Sequence, residues 1–260
     1  GIIKGVFSAR AGSVSFSFFM ALFPFLLFIL NLIPFIPIEN FDGVVFSFIQ
    51  ELIPLESQGF FMEIFNDIKQ KPRGGLLSSV FLLSIFLTAN GVYAVFERFE
   101  ESYHVNIFRG FFPQYLFSIF VAILLGFLFL FSVAIFVFFE LYFIQNLSEL
   151  SSKIDWIRYG QLILYILATY ISVAILYYFG TIEGKKARFF SPGAFMTTIL
   201  IAMTTKLFGI YITYFSSYNQ LYGSIGAILI LMFYIWLNSI ILLLGFELNA
   251  TLTRFKKRDK

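Results

Sequence analysis

Apolar runs long enough to cross a bilayer dominate this chain, and short polar stretches separate them. They lie near residues 14–34, 76–96, 112–139, 157–180, 194–216 and 223–246. A hydrocarbon core of about 30 Å needs roughly 20 helical residues at about 1.5 Å each, and every run meets that length. None shows the alternation of apolar and polar residues that marks a transmembrane barrel strand. Helices, which satisfy their own backbone hydrogen bonds, are therefore the predicted spanning elements. The expected fold is all-α, a polytopic membrane protein with six transmembrane helices forming one integral membrane domain over residues 1–260.

The intervening stretches refine this picture. Residues 35–75 form the long loop, where Val45, Phe48, Ile49, Leu52 and Ile53, then Phe61, Ile64, Phe65 and Ile68, recur at helical spacing. Two short amphipathic helices, lying on the membrane or capping the bundle, are expected there. The polar, glycine-bearing stretch YFSSYNQLYGSIGAI, residues 214–228, reads as a hairpin between the fifth and sixth spans. Gly223 and Gly226 would let the chain turn or a neighbouring helix approach closely. A signal peptide is a competing reading of the first span. It fails because no small-residue cleavage pattern follows the apolar run, and Gly1 leads to the expectation that the numbering starts inside the natural chain.

Composition agrees with a lipid-dissolved chain: 59% of residues are hydrophobic and 13% charged, against about 25% charged in soluble domains. Charge then sets orientation. Six spans put both termini on one side, together with twelve basic residues: Lys4, Arg10, Arg98, Arg109, Lys185, Lys186, Arg188, Arg254, Lys256, Lys257, Arg258 and Lys260. The other side holds five, Lys69, Lys71, Arg73, Lys153 and Arg158. The positive-inside rule places both ends in the cytoplasm, with residues 35–75 outside. The sequence pI near 9.0 follows from this asymmetry and points to anionic headgroups near the tail rather than to nucleic acid.

Enzyme chemistry finds little support. Cysteine is absent and His104 is the single histidine, so no His or Cys cluster can form within one chain. No phosphate-binding glycine loop or nucleophile elbow is present. Glu97, Glu100 and Glu101 surround Arg98 where the second span leaves the membrane, which reads as a solvated helix end rather than a catalytic acid pair. No enzymatic activity, cofactor, metal or nucleic-acid partner is expected.

Polar residues within the spans carry more information, because an ionisable group near the bilayer centre costs about 2.5–3.5 kcal/mol on insertion scales. Lys206 lies about 18 Å into the fifth span, close to the midplane, and Asn238 lies at a similar depth on the antiparallel sixth. Together with Thr205 they form the candidate substrate site. Thr197, Thr198, Thr204, Asn90 and Asn31 add further polar groups, while Glu247 and Glu140 sit at span boundaries and read as interface contacts. Arg254, Lys256, Lys257 and Arg258 form a candidate cytoplasmic rim for lipid headgroups.

The run FSSYNQLYGSIGAILILMFYIWLNSIILLLGFELNATLTR, residues 215–254, closely resembles the C-terminal signature of the YihY/BrkB family of bacterial inner-membrane proteins. SVSFSFFMALFPFLLFIL and ANGVYAVFERFEESYHV resemble that family's other two recurring blocks, in the same order and separation. The resemblance implies six transmembrane helices with cytoplasmic ends. The family once carried the label ribonuclease BN, which the absence of catalytic groups here contradicts, and one branch is associated with moving a lipopolysaccharide precursor across the inner membrane.

These observations lead to the expectation of an inner-membrane translocator of anionic envelope lipid, a phospholipid or lipopolysaccharide precursor. An ion or proton antiporter is the first alternative, although no span has a carboxylate at its centre. A non-transporting structural or partner-binding envelope protein is the second. Membrane lipids are the expected partners, with an envelope lipid-transport protein besides. Gly126, Gly209, Gly223 and Ala227 could support self-association as a homo-oligomer.

Overall fold

The structure of the chain, a computed structural model, describes residues 6–32, 74–102, 110–146, 153–181, 189–214 and 216–258. Six helices cover nearly all of them: α1 (Val6–Leu32), α2 (Gly74–Ser102), α3 (Phe111–Asn146), α4 (Lys153–Phe179), α5 (Pro192–Tyr214) and α6 (Ser216–Arg258). Five, α2 to α6, contain segments long and apolar enough to cross a membrane. The remaining helix, α1, has 27 residues and carries Pro24 in its interior. The amphipathic helices expected in 35–75 fall outside the described residues, except that Gly74 and Gly75 already belong to α2.

Most helices overrun the apolar stretches that predict them. The sixth extends to Arg258, well past residue 246, and is 43 residues long. Backbone hydrogen bonds inside a helix do not depend on apolar side chains, so a span continues into water until a breaker stops it. The same reason corrects the reading of residues 214–228. The fifth helix ends at Tyr214 and the sixth begins at Ser216, so Gly223 and Gly226 lie inside α6 rather than in a polar hairpin.

Each helix packs on the next, and α6 returns to α1 while also meeting α2. The starts of α1, α3 and α5 lie with the ends of α2, α4 and α6, as the contacts Arg10–Glu101, Phe117–Phe179 and Gly193–Asn249 show. This is called the terminal end below. The core lies there: Val14, Val92, Val95, Phe96, Phe99, Val121 and Ala174 are almost wholly buried, and Phe99 stacks on Phe246 with ring centroids 3.8 Å apart.

Toward the opposite end the packing opens. Along α4, Val173 to Tyr177 are buried without a gap, which at about 100° per residue means that every side of the helix is covered. Nearer its start Leu162, Ile163, Tyr165, Ile166 and Leu167 are exposed, so that only part of the helix surface is covered there. On α5, residues 206, 207, 209, 210 and 211 are likewise exposed. A Cβ added at Gly126 or Gly209 would meet nothing within 4 Å.

Candidate functional site

Two polar clusters join the helices at different depths. The first ties α4, α5 and α6 together at the terminal end. Ser191 caps α5, its Oγ accepting the Ala194 N–H at 3.3 Å, and Pro192 follows at the first helical position, where its missing N–H costs nothing. Asn249, from α6, completes the cap. Its Oδ1 accepts the Gly193 N–H at 2.8 Å and its Nδ2 donates to Ser191 Oγ at 2.8 Å. One turn further along α5, the buried Thr197 hydroxyl meets the Tyr177 hydroxyl at 2.7 Å. Tyr177 donates its own hydrogen to the Leu242 carbonyl at 2.7 Å, so Thr197 is the donor to Tyr177.

Gly193 and Gly245 let these backbones meet. A Cβ on Gly245 would overlap the Thr197 hydroxyl and lie 2.5 Å from that of Tyr177, and one on Gly193 would overlap the Gly245 carbonyl. Gly180 serves α4 similarly, since a Cβ there would lie 2.5 Å from the Phe99 ring. An ion-pair cluster completes the terminal end. Arg98 bonds Glu101 at 2.7 Å, Glu97 at 3.1 Å and Ser13 Oγ at 3.2 Å, while Arg10 of α1 reaches the other Glu101 oxygen at 2.9 Å. Glu97 and Glu101 at this helix end are thus bound to arginines of α1 and α2.

The second cluster lies deeper, in the open half. Thr205 of α5 meets the Tyr234 hydroxyl of α6 at 2.7 Å and the Tyr165 hydroxyl of α4 at 3.0 Å. Asn238 follows Tyr234 by one turn on α6, and its Nδ2 donates to the Tyr234 carbonyl at 2.9 Å. Its Oδ1 is buried with no hydrogen-bond partner among the described residues.

Two of the three residues expected at the substrate site, Thr205 and Asn238, are therefore linked, through Tyr234. The third, Lys206, points elsewhere. It lies nine residues beyond Thr197, which at about 100° per residue turns it to the face opposite that buried threonine. It is exposed within an outward apolar stripe formed by Ile199, Met203, Leu207 and Ile210, and it has no ion-pair partner among the described residues. Of the candidate rim, Arg254 is exposed, and Lys256, Lys257 and Arg258 continue the helix. Glu247 is exposed near the end of α6, whereas Thr197 and Thr198 are buried.

Tyr165, Tyr177, Tyr234 and Asn249 were not singled out in the sequence. A usable signal existed in the small residues Gly193 and Thr197, four apart on α5, which is the pattern of close helix contact in membranes, and in Asn249, a polar side chain able to bond across helices. Among the described residues no group of three His, Cys, Asp or Glu could hold a metal ion.

The chain is similar in sequence to known proteins. The model of a family described as virulence factor BrkB matches residues 4–260. A ribonuclease-like protein of Bacillus subtilis (strain 168), YfkH, is 29% identical over 96% of this chain and 91% of its own length. The membrane protein YihY of Salmonella typhimurium (strain LT2) is 34% identical over 42% of this chain and 37% of its own. A membrane protein of Pseudoalteromonas translucida (strain TAC 125) is 42% identical, over 24% of this chain and 21% of its own. The last two alignments thus cover well under half of those relatives. No solved structure matches the chain.

Proposed function

The chain belongs to the BrkB family of membrane proteins, and from that premise we propose that it translocates a lipid with an anionic headgroup, a phospholipid or lipopolysaccharide precursor, across the bacterial inner membrane. In this reading α1 is the sixth span and the terminal end faces the cytoplasm, in keeping with the twelve-to-five bias of basic residues. The protein moves its lipid without covalent change, and no catalytic residue is assigned. An envelope protein that receives the lipid, and self-association through the outward glycines Gly126 and Gly209, belong to the same reading.

The observation that carries it is the position of Lys206, exposed among apolar side chains and about 21 Å along α5 from Pro192. An ammonium at such depth is costly unless an opposite charge or water meets it. A lipid phosphate travelling along the outside of the bundle supplies that charge while its tails stay in the bilayer. Tyr165 and Tyr234, both held by Thr205, and Asn238 offer neutral hydrogen-bonding groups on neighbouring helix faces, so that the headgroup is held by several weak contacts and can leave again. Arg254, Lys256, Lys257 and Arg258 gather anionic lipid at the inner leaflet, each contributing about 1 kcal/mol near the surface.

The test is movement of labelled phosphatidylserine in proteoliposomes. Lys206→Met is expected to slow it by at least about tenfold, the loss of one charge-assisted hydrogen bond, and Lys206→Arg to retain part of it. Thermal stability should stay at the parental value, because Lys206 is exposed and has no ion-pair partner among the described residues. Parental rates in both variants would remove Lys206 from the path and end this reading.

A further inference from the structure

The hydrogens at the α4–α5–α6 cluster can be assigned one by one. Thr205 has a single hydroxyl hydrogen and three close oxygen neighbours: the Ile201 carbonyl at 2.8 Å, the Tyr234 hydroxyl at 2.7 Å and the Tyr165 hydroxyl at 3.0 Å. The carbonyl can only accept, so Thr205 donates to it, and both tyrosines donate to Thr205. Any other assignment among these three contacts leaves a hydroxyl hydrogen idle. Asn238 is fixed by the same logic. Its neighbour at 2.9 Å is the Tyr234 carbonyl, another pure acceptor, so the amide nitrogen faces it and Oδ1 faces away.

Three oxygens therefore keep lone pairs and have no hydroxyl hydrogen to give: those of Tyr165, Tyr234 and the buried Asn238 Oδ1, which has no partner among the described residues. Tyr165 is 38% exposed, so the cluster opens to the outside of the bundle on the Tyr165 side, with Asn238 Oδ1 at its buried end. Phe208 lies against Tyr234 with ring centroids 4.8 Å apart, adding an aromatic wall.

We infer that this cluster selects a primary ammonium carried by the same lipid whose phosphate meets Lys206, so that the cargo is an aminophospholipid. The inference rests on the lipid-translocation reading. An ammonium has three N–H donors and no acceptor, the complement of three oxygens without a hydrogen to offer. A hydroxyl headgroup brings lone pairs that this cluster does not serve, and a quaternary amine brings no N–H. Inside a membrane these oxygens replace the water the ammonium leaves behind, and the tyrosine and phenylalanine faces favour a cation further.

The test is competitive retention. The full chain in detergent is offered equimolar phosphatidylserine and phosphatidylglycerol, which have the same net charge but differ in the ammonium, and bound lipid is read by native mass spectrometry. Phosphatidylserine should be retained roughly tenfold over phosphatidylglycerol, the weight of one hydrogen bond to a charged group. Tyr165→Phe, which keeps the ring and removes only the hydroxyl, and Asn238→Leu should each cut that ratio several-fold. Lys206→Met should lower retention of both lipids and leave the ratio unchanged. Equal retention of the two lipids by the parent overturns the inference, as does a ratio that survives both Tyr165→Phe and Asn238→Leu. Retention of neither lipid instead strikes the translocation reading beneath it. Displacement of phosphatidylserine by free ethanolamine as effectively as by the lipid would identify a free amine as the ligand and overturn the lipid source.

Discussion

The two ends of the bundle use similar side chains to opposite ends. Tyr177 at the terminal end and Tyr165 in the open half both sit on α4 and both bond a threonine of α5, Thr197 and Thr205 respectively. Yet Tyr177 is 4% exposed, among stacked phenylalanines and glycines that admit no added methyl, while Tyr165 is 38% exposed. Both bonds link helices, but one lies in a packed core and the other beside exposed helix faces. The difference lies in what surrounds each pair. Small residues, Gly193 and Gly245, let the α5 and α6 backbones touch at the terminal end, whereas a Cβ at Gly209, further along α5, would meet nothing within 4 Å. Polar pairing alone does not make a packed core in a membrane, where van der Waals contact between close backbones has to supply much of the cohesion.

This contrast can be broken most forcefully at Gly245. Gly245→Val places branched carbons on the Thr197 and Tyr177 hydroxyls and should destabilise by about 3 kcal/mol or more, seen as a large fall in apparent Tm or as no folded protein in detergent. Asn249→Ala, which strips the Gly193 N–H of its acceptor and Ser191 of a donor, should cost about 2 kcal/mol in the same measurement. Tyr177→Phe keeps the ring and leaves the Leu242 carbonyl and Thr197 hydroxyl short of a partner, for about 1.5 kcal/mol. Glu101→Gln weakens ion pairs that are partly exposed and should cost no more than about 1 kcal/mol, shrinking further in high salt. Leu162→Ala, in the open half, should stay within about 0.5 kcal/mol of the parent. A Leu162→Ala loss as large as that of Asn249→Ala would erase the distinction between the two ends.

Much of the fold was readable as hydropathy, because each span must hide its backbone from lipid and so announces itself as an unbroken apolar run. Helix ends were not, since a helix passing into water needs no apolar side chains, and Ser216 through Ile228 looked like a turn for that reason. The site was legible in depth but not in rotation. Counting residues put Lys206 and Asn238 at similar levels, but residues at one level on two helices meet only if both point inward, and Lys206 faces out. Tyr234, which links Thr205 to Asn238, is an ordinary aromatic in a greasy run until its hydroxyl is given a neighbour.

The length of α6 has mechanical meaning. The helix runs without a break from Ser216 to Arg258, and its tightest crossing, at Gly245, is far from its middle. About 44 Å of helix lies on one side of that crossing and about 20 Å on the other. A stiff rod resting on such a point is an unequal balance: any tilt moves the tip at Ser216 about twice as far as the basic tip at Arg258. A small displacement of the charged end is thereby amplified at the far tip, where a single residue separates α6 from the end of α5.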